Sequence, residues 1–466
     1  MLEYIDLIEQ TFEFPTEEFK VVDNELHFNG VPLMPVIEQY GTPLKISYLP
    51  KITQHIQKAR GYFQKAFEKY GYTGKYTYCY CTKSSHFRFV LEEALKNNIH
   101  IETSSAYDIP IIRELYNRGL VTKDTYFLCN GYKRPLYAQY ISELINDGFH
   151  NCIPILDNLT EIDYYEQNIK VNCQVGIRIA ADEEPNFEFY TSRLGIRYNE
   201  IIDLYKKRIE GRAKFSLKTL HFFVNTGMKD TAYYWNELAK FVELYCELKK
   251  ICPTLNAINI GGGFPISNNL SFEYDYKYMV DEIISNIKAT CDQEGIEHPD
   301  IYTEFGKYTV GESGATIFTV IEQKQQKDSE LWYLIDNSLM NTIPDSWGLN
   351  ERFILLPVNK WNNDFARVHI GGISCDHSDY YNFEDLNQQV FLPTFKNDDP
   401  EPLYIGFFHT GAYQDAISGY GGIKHCLIPS PQHILVDRDE KGNFIDTLWR
   451  PEQRPNEMLQ ILGYDT

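Results

Sequence analysis

Between residues 50 and 304 the apolar positions switch repeatedly between helical spacing and strand-like runs. The segment PKITQHIQKARGYFQKAFEKY (50–70) sets Ile52, Ile56, Ala59, Phe63 and Phe67 at helical spacing, with proline in its first turn, which predicts a helix with one apolar face. The stretch 76–83 that follows is rich in aromatic and β-branched side chains, the composition of a strand. Alternation along it puts Thr77, Cys79, Cys81 and Lys83 on one face and Tyr76, Tyr78 and Tyr80 on the other. Further strands are predicted at 99–103, 126–130, 153–157, 175–180, 219–225, 257–260 and 301–304. Helices fall between them, at 87–95, after Ser104 or Ser105, and around 136–145, 161–169, 201–207, 234–250 and 278–291. An irregular insert, DEEPNFEFYTSRLGI (182–196), interrupts the series after the fifth strand. Eight βα repeats match the size and order of a (β/α)8 TIM-type barrel, with the helix at 50–70 joining the outer ring ahead of the first strand. A doubly wound sheet shares the alternation but not the closure.

After residue 306 the pattern changes to short apolar runs at 315–321, 331–335, 368–373, 403–408 and 434–436, separated by turns rich in Gly, Pro and Asp. This predicts an all-β domain, completed by residues 1–44, where a short helix accompanies strand-like pieces such as 25–28. The expected organisation is therefore an α/β chain: an N-terminal segment 1–44 joining the β domain, a barrel over 45–305, and a C-terminal β domain over 306–466. Glycine is dense at 411–422, GAYQDAISGYGG, which predicts tight turns there.

Composition narrows the classes of function. The formal charge is −21, which argues against a nucleic-acid partner and an anionic membrane surface and suits a small cationic substrate. The start, MLEYIDLIEQTFEFP, is acidic and amphipathic rather than a basic segment before an apolar run, so a signal peptide is not expected. No apolar run is long enough to span a bilayer. The ten cysteines show no CxxC pairs; reduced thiols and a cytoplasmic location are expected.

The candidate chemistry gathers at strand ends. Lys83 closes the first strand, where barrel enzymes keep their reacting groups; a solvated lysine is the bland alternative. Gly261, Gly262 and Gly263 follow the seventh strand and precede a helix, a place where backbone N–H groups can meet an anion. No GK[ST] follows, so this is not a Walker A loop. Glu304 ends the eighth strand and would serve as a general base, a metal ligand or the partner of a ring nitrogen. Cys375 and Asp376 lie in GGISCDHSDYY, with His377 beside them. Motifs such as HExxH are absent, so no tightly bound catalytic metal is expected. A strand-end amine, a phosphate loop and an acid on the last strand match the three needs of pyridoxal phosphate: an amine for its aldehyde, donors for its phosphate and a carboxylate for its ring nitrogen.

With these residues assembled, the chain resembles the fold type III pyridoxal phosphate-dependent decarboxylases, the family of ornithine, diaminopimelate and arginine decarboxylases. The resemblance runs through CTKSS, IETSS, the RIA of VGIRIA, SRLGI, NIGGGF, TEFGK, SCDHSD and HTGAYQ, in order and over nearly the whole chain. It implies a barrel plus a β domain and a homodimer with active sites shared across the interface. It further implies that Lys83 holds the cofactor, that Glu304 pairs with the pyridine nitrogen, and that Gly261, Gly262, Gly263 and Tyr413 contact the phosphate. Glu102 and Arg178 also match cofactor-site positions. Cys375 would protonate the carbanion in the partner's site, and Asp376 would bind the far cationic end of the substrate. LCNGYKR and NTIPDSWGLNERFILLP resemble biosynthetic arginine decarboxylases, so the expected reaction is L-arginine to agmatine in polyamine biosynthesis. Asp336, Asp345 and Asp376 are the candidates for a guanidinium clamp. The alternatives are a decarboxylase of ornithine, lysine or carboxynorspermidine, or a non-catalytic relative that binds partners. Two positions depart from the family: Phe223 stands where a stacking histidine is usual, with His221 on the same face two residues earlier, and Lys307 replaces the arginine of the EPGR-like motif.

Overall fold

The computed structural model describes residues 16–181, 192–327, 330–381 and 390–464. The amphipathic start of the chain and most of the 182–196 insert lie outside the described residues. The chain divides into two compact units, one made of residues 53–265 and 274–309, the other of residues 1–52, 266–273 and 310–466. No helix among the described residues is long and apolar enough to cross a membrane.

The first unit is a closed barrel. Its eight strands are Tyr76–Cys81, His100–Thr103, Phe127–Cys129, Cys152–Leu156, Cys173–Ala180, Phe215–His221, Ala257–Asn259 and Asp300–Phe305. Each pairs in parallel with the next, and the eighth pairs in parallel with the first. Closure leaves no free edge in this ring, which separates the barrel from a doubly wound sheet. The predicted split of faces on the first strand is present. Cys79 packs inside with Leu128, Ile153, Ile155, Ala257 and Tyr302. Tyr76 points outward and stacks on Phe63 of the helix Pro50–Tyr70, with ring centroids 4.1 Å apart. Phe63, fully withdrawn from water, contributes about 1.5–3 kcal/mol.

The first strand ends earlier than its composition implies. The last ladder pair is Cys81 with Glu102, and Thr82–Ser84 form a turn of 3-10 helix. The cause is local: the Ser84 hydroxyl donates to the Cys81 carbonyl at 2.7 Å, offering the backbone an alternative to the ladder. Lys83 therefore stands on a turn rather than on the strand face shared by Cys79 and Cys81.

The second unit is built on a ten-stranded sheet among the described residues, with a small three-stranded sheet from Phe19–Val22, Glu25–Phe28 and Val31–Pro32 and a few short helices. Its longest strand, Gly314–Lys327, pairs with Glu330–Ile335 on one side and with Leu403–Phe408 and Leu44–Tyr48 along the other. Leu44–Tyr48 belongs to this sheet and not to the barrel segment expected to begin at residue 45. It runs antiparallel to Gly314–Lys327 and parallel to Gln432–Arg438. All five of its residues are buried, which a strand achieves when neighbours cover both edges and both faces. Residues 19–48 share one apolar core with Ala315, Ile317, Leu356, Phe408, Ile434 and Val436. A second core surrounds Phe318, Tyr333, Ile370, Leu392 and Phe407.

One buried polar network braces this unit. His409 Nε2 lies 3.0 Å from Glu18 Oε2, and its Nδ1 lies 2.7 Å from the Ser267 carbonyl. The Lys51 amine sits between Glu18 (3.2 Å) and Glu312 (3.5 Å). The paired charges pull in the directions pairing demands: His409 is raised against the cost of burial by Glu18, and Glu18 is lowered by His409 and Lys51.

Candidate active site

The barrel carries its polar groups at the C-terminal ends of the strands. Lys83 is exposed on its turn, between buried Thr82 and Ser84. The Thr82 hydroxyl lies 3.1 Å from the Glu102 carbonyl and 3.0 Å from Asp108 Oδ1. Asp108 in turn accepts the Ser104 and Ser105 amides, both at 2.9 Å, and meets His86 at 3.0 Å. The lysine thus hangs from a backbone fixed on both sides.

Glu102 and Glu304 face each other inside the mouth. Both are buried, at 1% and 6% exposure. The side-chain amide of Asn130 joins them, donating to Glu102 Oε1 at 3.0 Å and to Glu304 Oε1 at 2.8 Å. The Asn259 amide also donates to Glu304, and the Cys81 thiol donates to Glu102 Oε2 at 2.8 Å. Burial, and then the neighbouring Glu304 charge, push Glu102 up to about 7, opposed by Lys83. Glu304 is raised by burial and held down in part by Asn130, Asn259 and the Lys83 and Arg178 charges. Two carboxylates this close share their protons as a pair. One ligand atom each from Cys81, Glu102 and Glu304 falls within 4.8 Å of the others. Burial and the Glu102 charge drive the Cys81 thiol far above its ordinary value, so it acts as a donor to Glu102 and not as a thiolate ligand.

His221 ends the sixth strand, buried, with Nε2 3.4 Å from Glu304 Oε2. Neither ring nitrogen has a hydrogen-bond partner among the described residues. Burial, then the Arg178 and Lys83 charges, hold it well below its ordinary value, so the ring is neutral. Phe223 follows beyond the strand end, with the Arg178 guanidinium 5.8 Å from its ring centroid. Lys307 opens the short helical turn Lys307–Val310.

The triple-glycine turn touches the same acid. The Glu304 amide donates to the Gly261 carbonyl at 2.8 Å. A Cβ on Gly262 would lie 2.2 Å from the Glu304 carbonyl oxygen, and Gly261 has φ +69°, so only glycine lets this turn lie against the eighth strand. Gly261 donates its amide to Asn259 Oδ1, whereas the amides of Gly262 and Gly263 meet no acceptor among the described residues. The helix predicted around 278–291 is present as Tyr276–Glu294, so it begins well beyond the glycines and not at their end. Any anion held here would be held by loop amides rather than by a helix N-terminus.

The remaining candidates lie on the sheet unit. Asp336 accepts from the Thr42 hydroxyl at 2.6 Å and the Thr319 amide at 3.1 Å, and burial raises it to about 6. Asp345 is buried and accepts from Gln414 Nε2 at 2.7 Å. Those two acids are engaged inside the sheet unit. Asp376 is half-buried and accepts the Ser378 amide at 2.8 Å. Cys375 is exposed, its Sγ 3.3 Å from Cys426 Sγ. Tyr413 has φ +67°, an unusual backbone state for a residue other than glycine.

Sequence reasoning did not single out Asn130, Asn259 or the Cys81 thiol. A positional signal existed for each: all three end a barrel strand or follow its last residue.

Residues 53–311, more than half of the chain, match the family model described as "pyridoxal-dependent decarboxylase, pyridoxal binding domain". The biosynthetic arginine decarboxylase of Prochlorococcus marinus (strain AS9601) is 22% identical over 91% of this chain and 83% of its own length. The crystal structure of the biosynthetic arginine decarboxylase from Campylobacter jejuni superposes with a TM-score of 0.81 at 19% identity, covering 100% of this chain and 91% of that one. Diaminopimelate decarboxylase from M. jannaschii, crystallised with L-lysine, superposes with a TM-score of 0.77 at 16% identity, covering 95% of this chain and 97% of that one. The groups at the barrel mouth fit the cofactor that the family model names: two unengaged amides for a phosphate, a buried acid for a ring nitrogen, and an amine whose charge reaches Glu102, Glu304 and His221. A closed barrel, a strand-end lysine and an acid pressed against a triple-glycine turn thus agree with the sequence match, and the chain belongs to the pyridoxal-dependent decarboxylases.

Proposed function

We propose that this decarboxylase acts on a basic amino acid, L-arginine, and releases agmatine. The observation that carries the reading is the joined set at the barrel mouth, where Asn130 ties Glu102 to Glu304 and Glu304 touches the glycine turn. Bound pyridoxal phosphate supplies an electron-withdrawing ring that takes up the electron pair left when carbon dioxide departs. Lys83 would hold the cofactor through its amine. Glu304, its carboxylate oriented by Asn130 and Asn259, would keep the ring nitrogen protonated. His221 is neutral and buried, so it adds no positive charge to compete for that carboxylate. Gly262 and Gly263 offer amides to the phosphate, and by resemblance Tyr413 contributes there too. Phe223 would stack on the ring without a hydrogen bond, and Arg178 and Lys307 would add positive charge for the anion.

By resemblance, the working form is a homodimer in which Cys375 supplies the proton to the product carbon in the partner's site and Asp376 meets the guanidinium. Ile373 and Leu427, close in sequence to Cys375 and Cys426, are 46% and 48% exposed, which supports a face that a second copy covers. The net charge of −21 favours a cationic substrate. Release of carbon dioxide from arginine, ornithine, lysine and diaminopimelate by the purified protein tests the substrate. Turnover of ornithine or lysine without arginine overturns it. Borohydride trapping of the cofactor on Lys83, lost in Lys83→Ala, separates an enzyme from an empty relative.

A further inference from the structure

We propose that Cys375, Cys426 and His425, with Asp376 as fourth group, form a site for a thiophilic divalent cation such as zinc. The groups come from two loops of the sheet unit: the turn after strand Phe365–Gly371 and the turn His425–Leu427. One ligand atom from each of the two cysteines and the histidine lies within 4.8 Å of the others, and all three residues are exposed. Asp376 Oδ2 stands 3.8 Å from His425 Nε2. Two sulfurs on one tetrahedral zinc lie about 3.8 Å apart, from bonds of about 2.3 Å. The observed 3.3 Å is within about half an ångström of that spacing, a motion exposed side chains make readily. Two thiolates, an imidazole and a carboxylate are a ligand set that zinc accepts.

The backbone supports the arrangement independently. Cys426 and Leu427 have φ of +56° and +52°, in the left-handed region that non-glycine residues occupy at a cost. The turn is held in that state by Asn341. Its Oδ1 accepts the His425 amide at 3.2 Å, and its Nδ2 donates to the His425 carbonyl at 2.9 Å. Asn341 is itself buried. A strained turn pinned from behind brings Cys426 toward Cys375.

Binding would release one proton from each thiol to solvent as the two thiolates coordinate the cation. The consequence for turnover rests on the reading of Cys375 as proton donor: a coordinated sulfur is withheld from the product carbon. The cation would then act as a reversible brake on decarboxylation.

The test uses full-length, cofactor-loaded protein under a phosphine reductant, titrated with cobalt(II) chloride and read as a difference spectrum. The expected result is a sulfur-to-cobalt charge-transfer band with the visible bands of tetrahedral cobalt, saturating at one ion per chain and displaced by zinc chloride. Cys426→Ser and His425→Ala should each lower affinity at least about tenfold, with unchanged circular dichroism. Zinc should inhibit the parent enzyme, EDTA should restore it, and Cys426→Ser should retain full activity without metal while resisting inhibition. Absence of the charge-transfer band, or the same band in Cys426→Ser, overturns the site. A band lost in the variants but without inhibition of the parent keeps the site and removes Cys375 from proton transfer, so the two readings fail separately.

Discussion

Glu102→Gln replaces a buried acid by a neutral group of the same shape, and its effect on stability should depend on pH. Glu102 titrates near 4.5 in a free chain and is pushed up to about 7 in the fold, chiefly by burial and then by Glu304. Between those values the folded protein holds a proton that the unfolded chain has released. Stability contributed by the neutral acid is therefore full below about pH 4.5 and is lost as pH rises toward 7. A difference of about 2.5 units corresponds to about 3 kcal/mol. The glutamine side chain mimics the neutral form at every pH and escapes that loss. Urea denaturation of parent and variant, cofactor-free, should show a stability difference that grows by about 2–3 kcal/mol in favour of the variant between about pH 5 and pH 8. Other titrating groups cancel in the difference, except Glu304, which ionises more easily once its neighbour is neutral. A difference that stays flat across this range would show that Glu102 is an ordinary carboxylate, and the shared-proton account of the barrel mouth would fall.

Asn130→Leu removes both hydrogen bonds by which the side-chain amide joins Glu102 to Glu304 and should cost about 2–4 kcal/mol in thermal unfolding, with decarboxylation reduced far more than in a Leu substitution on the barrel exterior. Gly262→Ala drives a methyl group against the Glu304 carbonyl, so the turn must shift; turnover should fall about 100-fold, with weaker cofactor retention on gel filtration and an unchanged far-ultraviolet spectrum. In the sheet unit, His409 is raised and Glu18 lowered by their pairing. The His409 contribution is present below the ordinary histidine range and fades as pH climbs through its raised value; the Glu18 contribution fades as pH drops through its lowered one. His409→Gln should flatten both limbs of a plot of melting temperature against pH, and an unchanged plot would contradict the pairing.

The barrel was legible because its two periods are strong: eight strand-like runs separated by helical apolar faces leave few competing architectures. Lys83, Glu304 and the three glycines stood out because each sits where a strand ends. Asn130 and Asn259 did not, since asparagine at a strand end ordinarily marks a turn, and only three-dimensional closure reveals that both amides converge on one carboxylate. Leu44–Tyr48 was misassigned for a related reason. Its alternation of Leu44, Ile46 and Tyr48 with Lys45 and Ser47 fits a strand, but pairing partners hundreds of residues away are not written locally. The side chains of Asp336 and Asp345 offered acids of the right charge, whereas their engagement by Thr42, Thr319 and Gln414 depends on contacts across the sheet.

The placement of Leu44–Tyr48 between Gly314–Lys327 and Gln432–Arg438 carries a consequence for biogenesis. During synthesis this ribbon leaves the ribosome hundreds of residues before either flanking partner exists. The intervening barrel has all its strands and can close while the ribbon waits, its N–H and C=O groups unpaired and open to aggregation. A nascent chain arrested before residue 432 should consequently be chaperone-dependent and protease-sensitive near its start, and should gain protection only when translation reaches the last strands.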